Sequence, residues 1–417
     1  MGLPTLSTKF FGGKIQKGKK EDLSQYAVHN YKIEGRFFEE EKILEVEQRI
    51  NYKNQHKVSF DRIYFHLYPN AFKEEEKVPF FKEELIKAYP LGFQPGYIDI
   101  EEVLVGNKGV NYEIGGENNT ILAIDLLKEL QPNQKILIDI KYKVNLPPAY
   151  SRFGYGENTY NFGNWYPIAA IYDDRGWNLE PYYKVGDPFY SEVSNYQVIL
   201  KLPKDFKLAT TGKIKSRKNY KAKDIDYRGL IWEIEAEAVR DFAWVTSRDF
   251  KVKMGKADGI NIEVYYFQGQ QGNKALEVAQ DGIKIFNNLF CPYPYEQFTV
   301  VACDFFIGGM EYPNLVYIDY NRFSQSNIII LEYIIAHEIA HQWWYGIIGN
   351  DQINSPWIDE ALTEYSTILY YREKYGEEAA MNMLKTMIID EYVRGKKVLD
   401  IRKEGVGKSI DKFNSNM

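Results

Sequence analysis

From Tyr31 to about Phe250 the chain alternates apolar and polar positions with a period of two. Tyr31, Ile33 and Gly35 set the pattern, and Ile63, Phe65 and Leu67 repeat it. Ile138, Ile140, Tyr142 and Val144 continue it, followed by Tyr196, Val198, Leu200 and Leu202, and then by Trp232, Ile234 and Ala236. Half-buried strands separated by turn residues read this way, and so many of them predict an antiparallel β domain. Phe80 to Ala88 is the one stretch here that reads as a short helix, and residues 1–25, Gly/Lys-rich and unpatterned, read as a loose lead-in.

Around Asp249 to Gly259 the pattern changes. A last strand, Ile260 to Phe267, leads into Gly272 to Phe290, where Leu276, Ala279, Ile283, Phe286 and Phe290 recur at helical spacing until Pro292 and Pro294 end the run. Strands at Phe298 to Ala302 and Leu315 to Ile318 follow, and then two long helices, about Ser326 to Tyr345 and Trp357 to Tyr375. The reading is therefore two modules, 1–250 mostly β and 251–417 α+β. A chain of 417 residues is long enough for both cores.

Composition narrows the class without fixing the function. A charged fraction of 26% with a net charge of only −6 gives no basic patch for nucleic acid. No run approaches the roughly 20 apolar residues of a membrane span. The first twenty residues hold no apolar stretch of the kind that marks an export signal, which predicts a cytoplasmic protein if Met1 is the natural start and a removed leader if the protein is secreted or in the cell envelope. Cys291 and Cys303, the only cysteines, are in no metal-binding spacing and read as two buried free thiols or, as the alternative, a single disulfide.

The chemistry is concentrated in I-I-A-H-E-I-A-H-Q-W-W-Y, Ile334 to Tyr345. On a helix His337 and His341 stand one turn plus about 40° apart and can grip one ion, while Glu338 points about 100° further round, where a carboxylate acts on water beside the metal. A catalytic zinc needs three protein ligands and one open position. Glu360, nineteen residues after His341 at the start of the next helix, supplies the third, because the Gly/Asn/Pro-rich segment between them lets the helix fold back. Its neighbour Asp359 should face elsewhere on the helix. Glu364, one turn on, either holds a ligand imidazole from behind or is a solvated helix glutamate. In Gly308, Gly309, Met310, Glu311, Tyr312 and Pro313, the glycines allow close backbone approach, a strand edge can pair with an extended peptide, and Glu311 is a candidate anchor for a cationic group; taken alone, the segment reads rather as a β-turn with an exposed glutamate.

Together, G-G-M-E-Y-P, H-E-I-A-H-Q-W-W and W-I-D-E-A-L-T-E-Y, in this order and at these spacings, resemble the aminopeptidase N family of zinc metallopeptidases, within the gluzincin clan. The resemblance implies an N-terminal β saddle or sandwich followed by a thermolysin-like catalytic domain. It implies one zinc per chain on His337, His341 and Glu360, with Glu338 activating the zinc-bound water as general base and proton shuttle. Glu311 would hold the α-amino group of a peptide substrate, with Gly308, Gly309 and Met310 as backbone partners, so that the N-terminal residue is removed. An endopeptidase is disfavoured because Glu311 would block longer N-terminal extensions.

Two positions depart from the family pattern. Tyr312 stands where the family has Asn, and the family's oxyanion-stabilising tyrosine would fall at or just past Met417. The chain thus reads as cut short before the family's C-terminal helical domain. That leaves a second expectation, a catalytically impaired peptide-binding module. The family's N-terminal module also contributes a polar residue to the amino-terminus site. Glu157 and Asn161 are candidates, and Gly186 to Glu192 is expected to lie against the cleft.

Overall fold

The computed structural model describes residues 22–221 and 228–398, with the side chains of 395–398 left aside. The lead-in up to residue 21 and residues 399–417 lie outside the described residues.

The first region is mostly β. Its largest sheet has eight strands in the order Lys213–Lys221, Arg228–Val239, Ser194–Pro203, His29–Phe38, Ile43–Lys53, Lys135–Asn145, Tyr97–Val105 and Lys108–Gly109. All neighbours are antiparallel except His29–Phe38 with Ser194–Pro203. The side chains of Tyr31, Ile33, Ile138, Ile140, Tyr142, Tyr196, Val198 and Leu200 are all buried on its inner face, as period-two patterning requires. Two four-stranded sheets pack with it, one around Phe60–His66 and one around Trp244–Ser247. Where a short helix was expected at Phe80 to Ala88 there is a 3-10 turn, Lys82–Glu84, and a single α turn, α1 (Leu85–Ala88). Four residues are too few to propagate a helix.

The second region is α+β, built on a five-stranded sheet in the order Lys251–Ala257, Ile260–Tyr266, Gln297–Cys303, Leu315–Asp319 and Gly309–Met310. The three central strands are parallel, and the two edges are antiparallel to their neighbours. The first edge strand is missing from the sequence reading, which begins this sheet at Ile260. Its residues are largely solvent-facing, Val252 and Met254 among them, so they mark no buried face.

Two helices lie on the sheet, α2 (Gly272–Leu289) and α3 (Ile328–Ala340), and α4 (Trp357–Tyr375) packs on them. The run of β-branched residues Ile328 to Ile330 favours helix poorly. Burial of Leu331, Tyr333, Ile335, Ala336 and Ile339 holds α3 instead. Gly282 of α2 lets α3 approach, since a Cβ there would come within 2.9 Å of Ile339 Cδ1. At their far ends the helices are tied by Glu332, whose carboxylate lies 2.9 Å from the ammonium groups of both Lys274 and Lys374 and accepts the hydroxyls of Tyr370 and Tyr375. Gly376, with φ 91°, ends α4. No helix among the described residues is long and apolar enough to cross a membrane.

Candidate metal centre

Helix α3 stops at Ala340, five residues short of the expected Tyr345, and His341 is its C-cap. The residue keeps helical dihedrals, and its N–H still donates to His337 O at 3.2 Å. The two imidazoles therefore remain one turn apart although the chain is already leaving the helix. Helix α4 then returns across them. Its first turn carries Asp359 and Glu360, where the positive end of the helix dipole favours carboxylates.

His337 Nε2 and His341 Nε2 are 3.1 Å apart, and Glu360 Oε2 lies 3.4 Å from the first and 3.7 Å from the second. Ligand atoms about 2.0–2.1 Å from a tetrahedral zinc stand about 3.3 Å from one another, so the triangle has the size that ion needs. His341 Nδ1 is 3.1 Å from Trp344 O, a carbonyl that can only accept. The proton is thereby fixed on Nδ1, and the Nε2 lone pair faces the triangle. Glu364 Oε1 stands 3.5 Å behind His337 Nδ1, and its other oxygen accepts the Tyr333 hydroxyl, so this glutamate backs the imidazole rather than facing solvent alone. The His341 side chain is 1% exposed and that of Glu360 46%, so the triangle opens on the glutamate side, which leaves room for a fourth ligand.

The surroundings ask for a cation. Glu338 and Glu311 are buried, and Glu338 Oε2 has no hydrogen-bond partner. Burial, and then the Glu311 carboxylate, raises Glu338 well above the usual carboxylate range. Burial and the charges of Asp187, Glu360 and Asp359 push Glu311 up to about 8, against the pull of His341. Burial would raise Glu360 too, but His341 and the hydrogen bonds from both imidazoles hold it well below its ordinary value.

This arrangement makes the metal-free protein pH-sensitive. A carboxyl whose folded value is raised stabilises the fold below its unfolded value and ceases to do so as pH rises through the folded one. For Glu311 that window runs from 4.5 to about 8. Glu338 and His341, also raised, act with the same sign, while the contribution of Glu360, lowered, is already complete above 4.5. The melting temperature of chelated protein should therefore fall by about 5 °C or more between pH 5 and pH 8.5. Zinc should flatten the slope; a chelated protein equally stable at both pH values would contradict this account of the cluster.

The Gly308 to Pro313 segment lies directly against this cluster. Gly309–Met310 is the sheet's edge strand, paired with Leu315–Asp319. A Cβ on Gly309 would sit 2.0 Å from Glu338 Oε1, so the backbone approach this glycine permits is toward the glutamate. Tyr312 turns away from the cluster. Its hydroxyl donates to Asn164 Oδ1 at 2.7 Å, and Asn164 in turn donates to Asp241 at 2.7 Å. A Cβ on Gly163 would lie 2.0 Å from that hydroxyl.

Several participants escape sequence reasoning. Asp359 does not face elsewhere: it is buried, and a ligand atom of it falls within 4.8 Å of those of Glu311 and His341. The loop before α4 folds back over the helix's first turn and supplies Gln352 Nε2 and Asn350 Nδ2 as its donors, at 2.8 and 3.1 Å. Gln352 Nε2 also donates to Glu311 Oε1 at 3.1 Å. Arg152, buried in the first region, places Nε 3.0 Å from Met310 Sδ and pairs with Asp187, so the Gly186 to Glu192 segment does reach the neighbourhood of Glu311. Asn161 is occupied otherwise, donating to Ser151 O and Asp304 O, and Glu157 is exposed. Cys303 is buried as expected but Cys291 is exposed, and both are free.

Residues 274–408 match the peptidase family M1 domain. Aminopeptidase M1 of Arabidopsis thaliana is 28% identical over 150 residues, 33% of this chain and 17% of that protein. Aminopeptidase N of Acetobacter pasteurianus is 31% identical over 130 residues, 28% of this chain and 36% of that protein. The matched stretch thus spans well under half the length of these M1 relatives. The fold is shared more widely. A crystal structure of an M1 zinc metallopeptidase from Deinococcus radiodurans superposes with a TM-score of 0.59 at 15% identity, covering 89% of this chain and 75% of that one. The donor set and its spacing fit the zinc that the M1 neighbour is named for.

Proposed function

We propose that this chain is a zinc-dependent aminopeptidase that removes the N-terminal residue from peptides, with a β-saddle domain over residues 1–250 and a thermolysin-like catalytic domain from residue 251. His337, His341 and Glu360 hold one zinc, Glu338 is the general base, and Glu311 anchors the substrate's α-ammonium. The observation that carries the reading is the position of Glu311: a buried carboxylate immediately after the edge strand, with a ligand atom within 4.8 Å of that of His341. A cationic terminus held there can reach the metal with only its first peptide bond.

Bound zinc supplies Lewis acidity, polarising the scissile carbonyl and lowering the pKa of water toward about 7. The chain's own residues do the rest. Glu338, buried beside Gly309 and with Oε2 unpartnered, accepts the proton of the attacking water and returns it to the leaving amine. Gly309 and Met310, on an open sheet edge, offer backbone groups to an extended peptide.

Metal analysis should find about one zinc per chain, falling toward zero in His341→Ala. On fluorogenic aminoacyl amides, free amino termini should be cleaved and N-acetylated ones should not. Equal cleavage of both would leave an endopeptidase. Binding of free-amine ligands without any turnover would leave the peptide-binding module.

A further inference from the structure

Gln352 lies on the loop between α3 and α4 and is 2% exposed. Its Nε2 donates to Glu311 Oε1 at 3.1 Å and to Asp359 Oδ2 at 2.8 Å, so one amide nitrogen spans two buried carboxylates. Asp359, which accepts from both Asn350 and Gln352, fixes the orientation of the amide, since the amide oxygen turned toward it would meet another acceptor. The oxygen Oε1 is then left buried and without a partner. A buried acceptor in that state is costly and uncommon in a folded protein. Other side chains support the same corner. Asn350 donates to Asp359 from the same loop, and Arg240 Nε donates to Tyr345 O at the loop's start while filling the space above Gly349. The loop is thus held so that the amide is presented to Glu311 rather than free to turn.

We propose that Gln352 is a further substrate-binding residue, whose Oε1 accepts one N–H of the substrate's α-ammonium while Nε2 keeps Glu311 and Asp359 in place around it. The inference rests on the aminopeptidase reading and adds a specificity to it. A primary ammonium has three donors, one for each of two carboxylates and one for the amide oxygen. A secondary ammonium, N-methylated or from an N-terminal proline, has two, and leaves Gln352 Oε1 buried and unpaired. The site therefore selects primary over secondary amino termini. This is recognition through hydrogen-bond count, since both amines carry the same charge.

The test is titration calorimetry of the zinc-loaded protein with L-leucinamide, N-methyl-L-leucinamide and N-acetyl-L-leucinamide. The wild type should bind the primary amine about tenfold or more tightly than the N-methyl compound, the scale of one hydrogen bond to a charged group. In Gln352→Leu that ratio should collapse toward one with zinc content unchanged, and Gln352→Asn, which withdraws the amide, should lower it likewise. A ratio near one in the wild type, or an undiminished ratio in folded Gln352→Leu, overturns the proposal. The first of these needs no variant. If the acetylated compound binds as well as leucinamide, it is the aminopeptidase reading that fails. If leucinamide is preferred over it and only the primary-to-secondary ratio is insensitive to position 352, Glu311 stands and Gln352 falls.

Discussion

Glu338→Gln should lower kcat on aminoacyl amides by about 10³-fold or more, toward the upper end of what a positioned general base contributes. The substitution keeps shape and volume and removes only the ability to take a proton. Zinc content should stay near one per chain, because Glu338 is outside the triangle formed by His337, His341 and Glu360. Binding of leucinamide should stay within about threefold of wild type, since the base acts on water and not on the ammonium. The carboxylate suits this work because it is buried beside the triangle and has one oxygen with no competing donor. Retention of more than about a tenth of wild-type kcat would remove Glu338 from the role.

The second large effect is expected from a residue with no side chain. Gly309→Ala places a methyl group where Glu338 Oε1 now lies, 2.0 Å from the built Cβ position, a separation at which one of the two must move. The edge strand is anchored through its pairing with Leu315–Asp319, and Met310 is gripped by Arg152, so the glutamate is the partner more free to yield. A base displaced by about 1 Å costs on the order of 10² in rate. The loss should appear in kcat, with zinc retained and with melting temperature changed by only a few degrees. Full activity in Gly309→Ala would mean that the strand gives way and the carboxylate does not.

The long strands were legible because they are half buried, so each apolar residue declares which face it is on. Lys251–Ala257 was not, because its apolar Val252 and Met254 lie on the solvent face while Lys253 and Gly255 lie on the face toward α2. The metal triangle was readable because a helix fixes the relation of His337 to His341, and the fold-back of α4 needed only a flexible loop of sufficient length. Asp359 was misread for the opposite reason. A helical angle says where a side chain leaves the backbone, but the loop that wraps the first turn supplies Asn350 and Gln352 and brings that side chain into the cluster. Arg152 and Gln352 carry no local signal at all, and Asp187 is legible only through the Gly186 to Glu192 segment. Arg152 and Asp187 meet the site because Met310 and Glu311 lie where the two regions touch, and Gln352 because its loop folds back over the start of α4.

Tyr312 shows what that contact means for inheritance. Its hydroxyl is received by Asn164, and the space for it exists because position 163 is glycine. An asparagine placed at 312 alone would restore the more usual family motif on paper while leaving a phenol-sized hole and an amide carbonyl at 164 with no donor. A larger residue at 163 would collide with the tyrosine that is there now. These three positions, 149 residues apart at their widest by the numbering of Gly163 and Tyr312, constrain one another, so the segment beside the His337–His341–Glu360 triangle is partly shaped by the other region of the chain.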